Sequence, residues 1–253
     1  VIAGGTEMMS HTNAILAEEQ AAGFPLTLMG SHNRRLDARH PQSHQGVCSD
    51  AVATIEGITR EELDAFGLES QRRAALAIVE GRFDRSIVPV RDDAGNVILD
   101  RDEYPRPETS AVGLAELRPA FAELADRPFD KNGATFRGQI ERRYPGLGIR
   151  HVHHAGNSSG VVDGAAAVLI ASRGYADAHG LKARARVVAT ANVGDDPTLM
   201  LNAPVPAARK VLARAGLAVT DIDLWEINEA FAVVAEKFVR DLGLDRAKVN
   251  VNG

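Results

Sequence analysis

From about residue 160 onward, short apolar runs alternate with amphipathic helical stretches, and that alternation confines this part of the chain to a layered α/β architecture. Residues 165–171 are continuously apolar through Val168, Leu169 and Ile170, the pattern of a strand buried on both faces. Residues 184–191 read as a second strand. Residues 206–215 read as a helix, with Pro206 near its start and Gly216 just past its end. Residues 224–227 form a third strand candidate. Phe231, Val234, Ala235, Phe238 and Leu242 mark a helix closed by Gly243, and residues 248–252 begin a further strand.

Upstream the pattern changes. Residues 1–3 read as a short strand ending at Gly4-Gly5. Roughly residues 6–155 are rich in Arg, Asp, Pro and Gly, and read as an irregular excursion, too polar for a compact core, carried by another domain. One helix stands out there: Thr59 and Glu62 make a capping-box pair, Leu63, Phe66, Ser70, Ala74 and Ala77 keep helical spacing, and Gly81 supplies the stop. Both chain ends lie in apolar runs and are expected to be cuts through buried strands, since natural termini are usually exposed.

The 253 residues, 45% hydrophobic and 25% charged, suffice for one large or two smaller globular domains. A net charge of −5 and only 5% aromatic residues argue against nucleic-acid or anionic-membrane partners. No stretch approaches the roughly 20 apolar residues that span a bilayer. The single cysteine, Cys48, excludes an internal disulfide and fits a reducing compartment, and residues 1–5 lack the basic segment of a secretory leader, so a cytoplasmic location is expected.

Four places carry candidate chemistry. Gly156-Asn157-Ser158-Ser159-Gly160 matches G-x-S-x-G, but a nucleophile elbow needs a following helix, and a strand-like run follows here. A turn whose small residues allow close approach of backbone, to the core or to a ligand, is the better reading. His151 and His153 would share a face on a strand and suit zinc, yet no third ligand motif accompanies them, so buried polar contacts or a pocket rim are preferred. Cys48 follows His44 closely, as an activated thiol would, but a lone cysteine is more often a small buried hydrophobe. Finally, Asn228-Glu229 falls where an apolar strand meets a helix. Asn228 is either a helix N-cap or an amide placed to hold a water or donate to an oxyanion, and local physics does not separate the two.

These residues resemble the thiolase family. Residues 1–10, VIAGGTEMMS, resemble AGG-x-E-x-M-S; His44-Gln45-Gly46 resembles H-M-G; Ser70-Gln71-Arg72-Arg73-Ala74 resembles S-Q-x-R-A; and Asp102 to Arg106 resembles D-E-x-x-R. Residues 155–167 look like A-G-N-x-S-G-x-x-D-G-A-A-A, Asn228 to Ala232 is N-E-A-F-A, and residues 249–253 look like the start of N-x-x-G-G. The blocks come in family order across essentially the whole chain. The resemblance implies a five-layered α-β-α-β-α fold of two similar halves, here truncated at both ends, with an inserted loop domain at about 6–155. Residues 1–172 would end the first half and residues 173–253 would begin the second.

It also implies acyl transfer between coenzyme A thioesters: thiolytic cleavage of a 3-ketoacyl-CoA, or the reverse Claisen condensation, through a cysteine thioester. No cofactor is implied beyond the acyl-CoA and CoA substrates, and no metal; a homodimer or homotetramer is expected. Carried over position by position, Asn228 would hold the water of an oxyanion hole, Ser159 would contact the pantetheine arm, His44 would sit in the pocket and Phe231 would line the tunnel. Arg106 would lie near the nucleotide, where a cation suits phosphate, and Gln45 replaces the methionine of H-M-G beside the acyl pocket. The family's nucleophilic cysteine would precede Val1, and its G-H-P histidine and acid–base cysteine would follow Gly253, so these residues alone are expected to be inactive. Cys48 matches neither cysteine. Gly113 stands where many members have a serine. Residues 129–150 are longer than in common acetoacetyl-CoA thiolases and, with the histidine cluster, resemble a bacterial branch acting on larger acyl chains. A ketoacyl synthase would usually carry a histidine at 228 and lack the long loop domain. A thiolase-like protein that only binds acyl-CoA or lipid is the alternative of a different class.

Overall fold

The computed structural model describes residues 1–21, 34–130 and 132–253. Strand β1 (Ile2–Met8) leads into helix α1 (Met9–Ala21), and the short α2 (Arg34–Arg39) follows. Then come α3 (Gln45–Ile55), α4 (Arg60–Val79), a small hairpin of β2 (Val90–Arg91) and β3 (Val97–Leu99), and three short helices, α5 (Ala111–Glu116), α6 (Ala122–Asp126) and α7 (Phe136–Arg143). Strand β4 (Asp163–Leu169), α8 (Arg173–Ala178), α9 (Pro204–Ala215) and α10 (Ala232–Leu242) complete the order.

β1 and β4 pair antiparallel from Ile2 opposite Leu169 to Met8 opposite Asp163. The chain therefore leaves this ribbon at Met8 and returns directly opposite, at Asp163. Ser10 closes the base, donating from its N–H at 2.8 Å and its hydroxyl at 2.7 Å to the two oxygens of Asp163. β4 forms where the apolar run is, but it is exposed along its whole length, with Val168 60% and Leu169 71% accessible, not buried on both faces. Among the described residues its only sheet partner is β1.

The helices follow their local signals closely. Thr59 and Glu62 form the reciprocal capping box of α4, and Gly81 follows its end at φ 66°. α9 carries proline at its first turn and ends on Gly216 at φ 68°; α10 ends on Gly243 at φ 62°. The strands expected after β4 fare differently. Among the described residues, 184–191 form no strand pairing, though Thr190 O accepts from Arg214, and Val187 and Val188 are exposed. Residues 224–227 and 248–252 meet in a single parallel bridge, Trp225 to Val249. Pairing cannot start earlier because residues 246–248 wind as a 3-10 turn.

The polar middle region, expected to lack a compact core, holds most of it. Val47, Ala51 and Val52 from α3, Leu63 and Phe66 from α4, Phe136 and Ile140 from α7, and Ile149 and Val152 form one cluster with Phe231 to Ala235 at the start of α10. α3 is buried all round from Gly46 to Ala53, while α4 and α7 bury one side each. Among the described residues, no helix is long and apolar enough to cross a membrane.

Candidate active site

The site begins at the N-terminus of α3. His44 is its N-cap, and its ring Nδ1 accepts from Gly46 N–H at 3.1 Å. That bond fixes the neutral tautomer with hydrogen on Nε2, and burial keeps the pKa of the ring below its ordinary value. The ring is flanked by Phe121 and Phe136, with centroids 5.7 and 5.8 Å away. A Cβ on Gly46 would overlap the Phe121 ring, so the H-Q-G element combines a cap with a residue small enough for that ring to approach. Gln45 is exposed on the first turn.

Phe121 meets Phe231 edge to face at 5.9 Å, and Phe231 meets the buried His153 in the same manner at 5.6 Å. Phe231, not Asn228, is the residue that caps α10, and it caps without a side-chain hydrogen bond. The N-cap reading of Asn228 is thereby removed. Asn228 is exposed three residues ahead of the cap and makes no hydrogen bond to any described residue, so its amide is free for a water or ligand.

The glycine-rich turn lies against this segment. Ser159 N–H donates to Ala230 O at 3.0 Å, and Ser158 bridges Phe231. The exposed Ser159 and the exposed Asn228 therefore stand on two chain segments in direct contact. The glycines serve packing: a Cβ on Gly160 would overlap the Tyr104 ring, and one on Gly156 would overlap Leu114. A 3-10 turn precedes Ser158 and β4 follows it, so the nucleophile-elbow geometry is not formed. Tyr104 in turn lies 5.5 Å from the guanidinium of Arg106, whose backbone N–H is held by Gln71 Oε1 at 2.7 Å. Arg106 is linked to the Ser159 turn through Tyr104 and Gly160, and that turn to Phe231 and His44 through Ala230 and Phe121, while Asn228 joins them only along the chain, two residues before Ala230.

The remaining candidates resolve into structure. His151 and His153 do share a face, but both address Asp50, through Nδ1 at 2.7 and 2.8 Å. Arg137 donates to His151 Nε2 at 2.9 Å, which places the His151 proton on Nδ1. Asp50 also accepts from the N–H groups of Val152 and His153 at 3.0 Å each. Burial acts to raise the pKa of Asp50, but the bonds from His151 and His153 outweigh it, and the carboxylate stays below its ordinary range. His154 receives Gly156 N–H on Nδ1 and donates from Nε2 to Asp64 at 2.7 Å. Among the described residues no group of three or more His, Cys, Asp or Glu is arranged to hold a metal. Cys48 is fully buried, donates to Thr198 O at 3.2 Å, and is pushed up to about 12 by that burial, so it is a thiol and no nucleophile.

Several residues that organise the site carried no assigned role in the sequence: Phe121, Asp50, Gln71, Arg73 and Asn250. Two of them left a signal. Asp50 is the lone charge in the apolar run of α3, and Asn250 interrupts the apolar residues Val249 and Val251.

Comparison with known proteins places this geometry in context. Residues 1–125 match the family model for the thiolase N-terminal domain, and residues 181–253 match that for the thiolase C-terminal domain. An acetyl-CoA acetyltransferase of Syntrophomonas wolfei is 43% identical over 214 residues, covering 83% of this chain and 47% of that protein. A 3-ketoacyl-CoA thiolase of Hahella chejuensis is 36% identical over 260 residues, covering 100% and 57%. The crystal structure of the dimeric peroxisomal thiolase of Saccharomyces cerevisiae superposes with a TM-score of 0.77 at 31% identity, over 100% of this chain and 56% of that one. The chain thus spans about half to three-fifths of the length of these relatives.

Proposed function

The chain belongs to the thiolase family, and from that premise we propose that the protein is an acyl-CoA C-acyltransferase, cleaving 3-ketoacyl-CoA with free CoA or running the reverse condensation. The observation that carries this reading is the contact between the segments bearing Asn228 and Ser159, with Phe231 and His44 on one aromatic row behind them. An amide that bonds to no described residue, beside a turn of small residues, is suited to hold a water against a thioester oxygen as charge develops on it. Ser159 contacts the pantetheine arm, Phe231 lines its tunnel, Gln45 borders the acyl end, and Arg106 faces the phosphates. His44, neutral with Nε2–H, supplies a donor inside the pocket.

A cysteine thioester splits the transfer into two steps. Cys48 does not provide that cysteine. The substrates are CoA thioesters, and no further cofactor enters the reaction. We also propose that residues 1–172 belong to the first thiolase half and residues 173–253 to the second. The loop domain is carried between β1 and β4, at about 6–155, where the chain leaves and rejoins one ribbon. A dimer or tetramer in the cytoplasm completes the proposal, and the yeast relative is described as dimeric.

The test is thiolysis by the full-length protein with acyl-CoA substrates of increasing length. Turnover that depends on free CoA is expected. Binding of acyl-CoA without turnover would instead mark a non-catalytic carrier.

A further inference from the structure

Asn250 is one of two non-glycine residues with positive φ among the described residues, at 46°. That conformation disfavours a side chain, and asparagine tolerates it best. Asn250 is 2% exposed, and its amide is fully engaged. Oδ1 accepts from Ile227 N–H at 2.7 Å, while Nδ2 donates to Ile227 O at 2.8 Å and to Glu229 Oε1 at 2.5 Å.

The backbone explains why an amide is needed. Trp225 N–H donates to Lys248 O at 2.8 Å and Asn250 N–H donates to Trp225 O at 2.9 Å, so the two segments pair as parallel strands up to this point. At Asn250 the chain turns away. Its side chain then replaces the next peptide group, presenting an acceptor and donors in one plane as a peptide does. Both backbone groups of Ile227 are satisfied by it. Arg73 braces the turn from α4, donating to Val249 O at 2.6 Å and Asn250 O at 3.2 Å, and Glu69 holds Arg73 at 2.6 Å. On the far side, Ala230 O is held by Ser159 N–H.

Between the two residues that Asn250 grips lies Asn228. We propose that Asn250 is the positioning residue for Asn228: it fixes the backbone of Ile227 on one side and the side chain of Glu229 on the other side of an amide that bonds to no described residue. This rests on the oxyanion role proposed above for Asn228. Asn250→Asp tests it sharply, because it sets a second carboxylate against that of Glu229. The two groups compete for one proton, in the field of the Arg73 and Arg246 guanidiniums that face the same turn. At higher pH both are charged and the clamp opens; at lower pH the shared proton closes it.

The experiment measures kcat and KM for thiolysis of acetoacetyl-CoA by the full-length protein across pH. The proteins compared are the parent, N250D, the double variant E229Q/N250D, N250G and N228A. N250D should lose roughly 10- to 100-fold in kcat at alkaline pH, the cost of a displacement near 1 Å, with KM changed by less than about threefold. Part of the loss should return as pH falls. E229Q/N250D should show that step at lower pH, since the introduced carboxyl is relieved of Glu229 but must still be protonated to donate to Ile227 O. N250G keeps the left-handed backbone without the amide, so it should show the kcat loss with the parent's pH profile while remaining folded by circular dichroism. Parental kcat in N250D and in N250G, alongside a large loss in N228A, would overturn the positioning role alone. Parental kcat in N228A would instead overturn the oxyanion reading, and with it this one.

Discussion

The β1/β4 ribbon and the cluster of α3, α4 and α10 are built from comparably apolar stretches, yet they end in opposite environments. Ile2, Val168 and Leu169 are 77%, 60% and 71% exposed, whereas Val47, Leu63 and Val233 are all at 0%. The difference does not lie in the residues. Each helix of the cluster packs against the others, while among the described residues β1 and β4 have only each other as sheet partners. Local sequence chooses the element; burial depends on what else is present to cover it.

The widest separation between the two regions should appear in amide hydrogen exchange of the 253-residue chain. Ribbon amides of residues 2–8 and 163–169 should exchange at least about a thousandfold faster than the central amides of α4 and α10. Equal protection would erase the comparison. Matched truncations sharpen it. Leu63→Ala removes a buried side chain and should cost about 2–5 kcal/mol in urea unfolding. Leu169→Ala, of identical chemistry on the ribbon, should stay within about 0.5 kcal/mol.

Polar anchoring sets the cluster apart as well. Asp50→Asn would leave donors from His151, His153 and two backbone groups facing an amide, and should destabilise the fold by about 3 kcal/mol or more in the same measurement. The smallest effect expected is a gradual one with acid. Hydrogen bonds from Arg72, against the opposing effect of burial and with help from Arg73, hold Glu69 at about 2, below its ordinary value of 4.5, and Asp50 is held low too. A depressed carboxylate stabilises the fold above its unfolded pKa and loses that contribution as pH falls through the folded one. His44 and His154, lowered chiefly by burial, act in the same sense below about 6.5. Stability should therefore fall monotonically from neutral pH to pH 2, with α3 and α4 affected most. A rise in stability with acid would contradict these assignments.

Much of this was legible in the residues. The α4 capping box, the glycine ends of α9 and α10, and the proline at the start of α9 are local signals, and each element formed where its signal lies. The motif blocks named Ser159, Phe231 and His44, whose segments meet through Ala230 and Phe121. The failures were non-local. The strand at 184–191 was read from apolar content alone, and a strand needs a neighbour to satisfy its backbone. The core within 47–152 is hidden in the sequence because charged residues are interspersed with the apolar ones, and the helices that pack together lie far apart along the chain. Cross-links such as Ser10 to Asp163, Gln71 to Arg106 and Asn250 to Ile227 join positions 153, 35 and 23 residues apart, and no window on the sequence spans them.

The role of the Asn228 amide is the claim on which the functional reading stands, and the direct measurement is kcat for thiolysis by the full-length protein carrying Asn228→Ala. Loss of one oxyanion-hole donor should lower kcat by roughly 100- to 1000-fold with KM little changed and the melting temperature preserved. An unaltered kcat would contradict it.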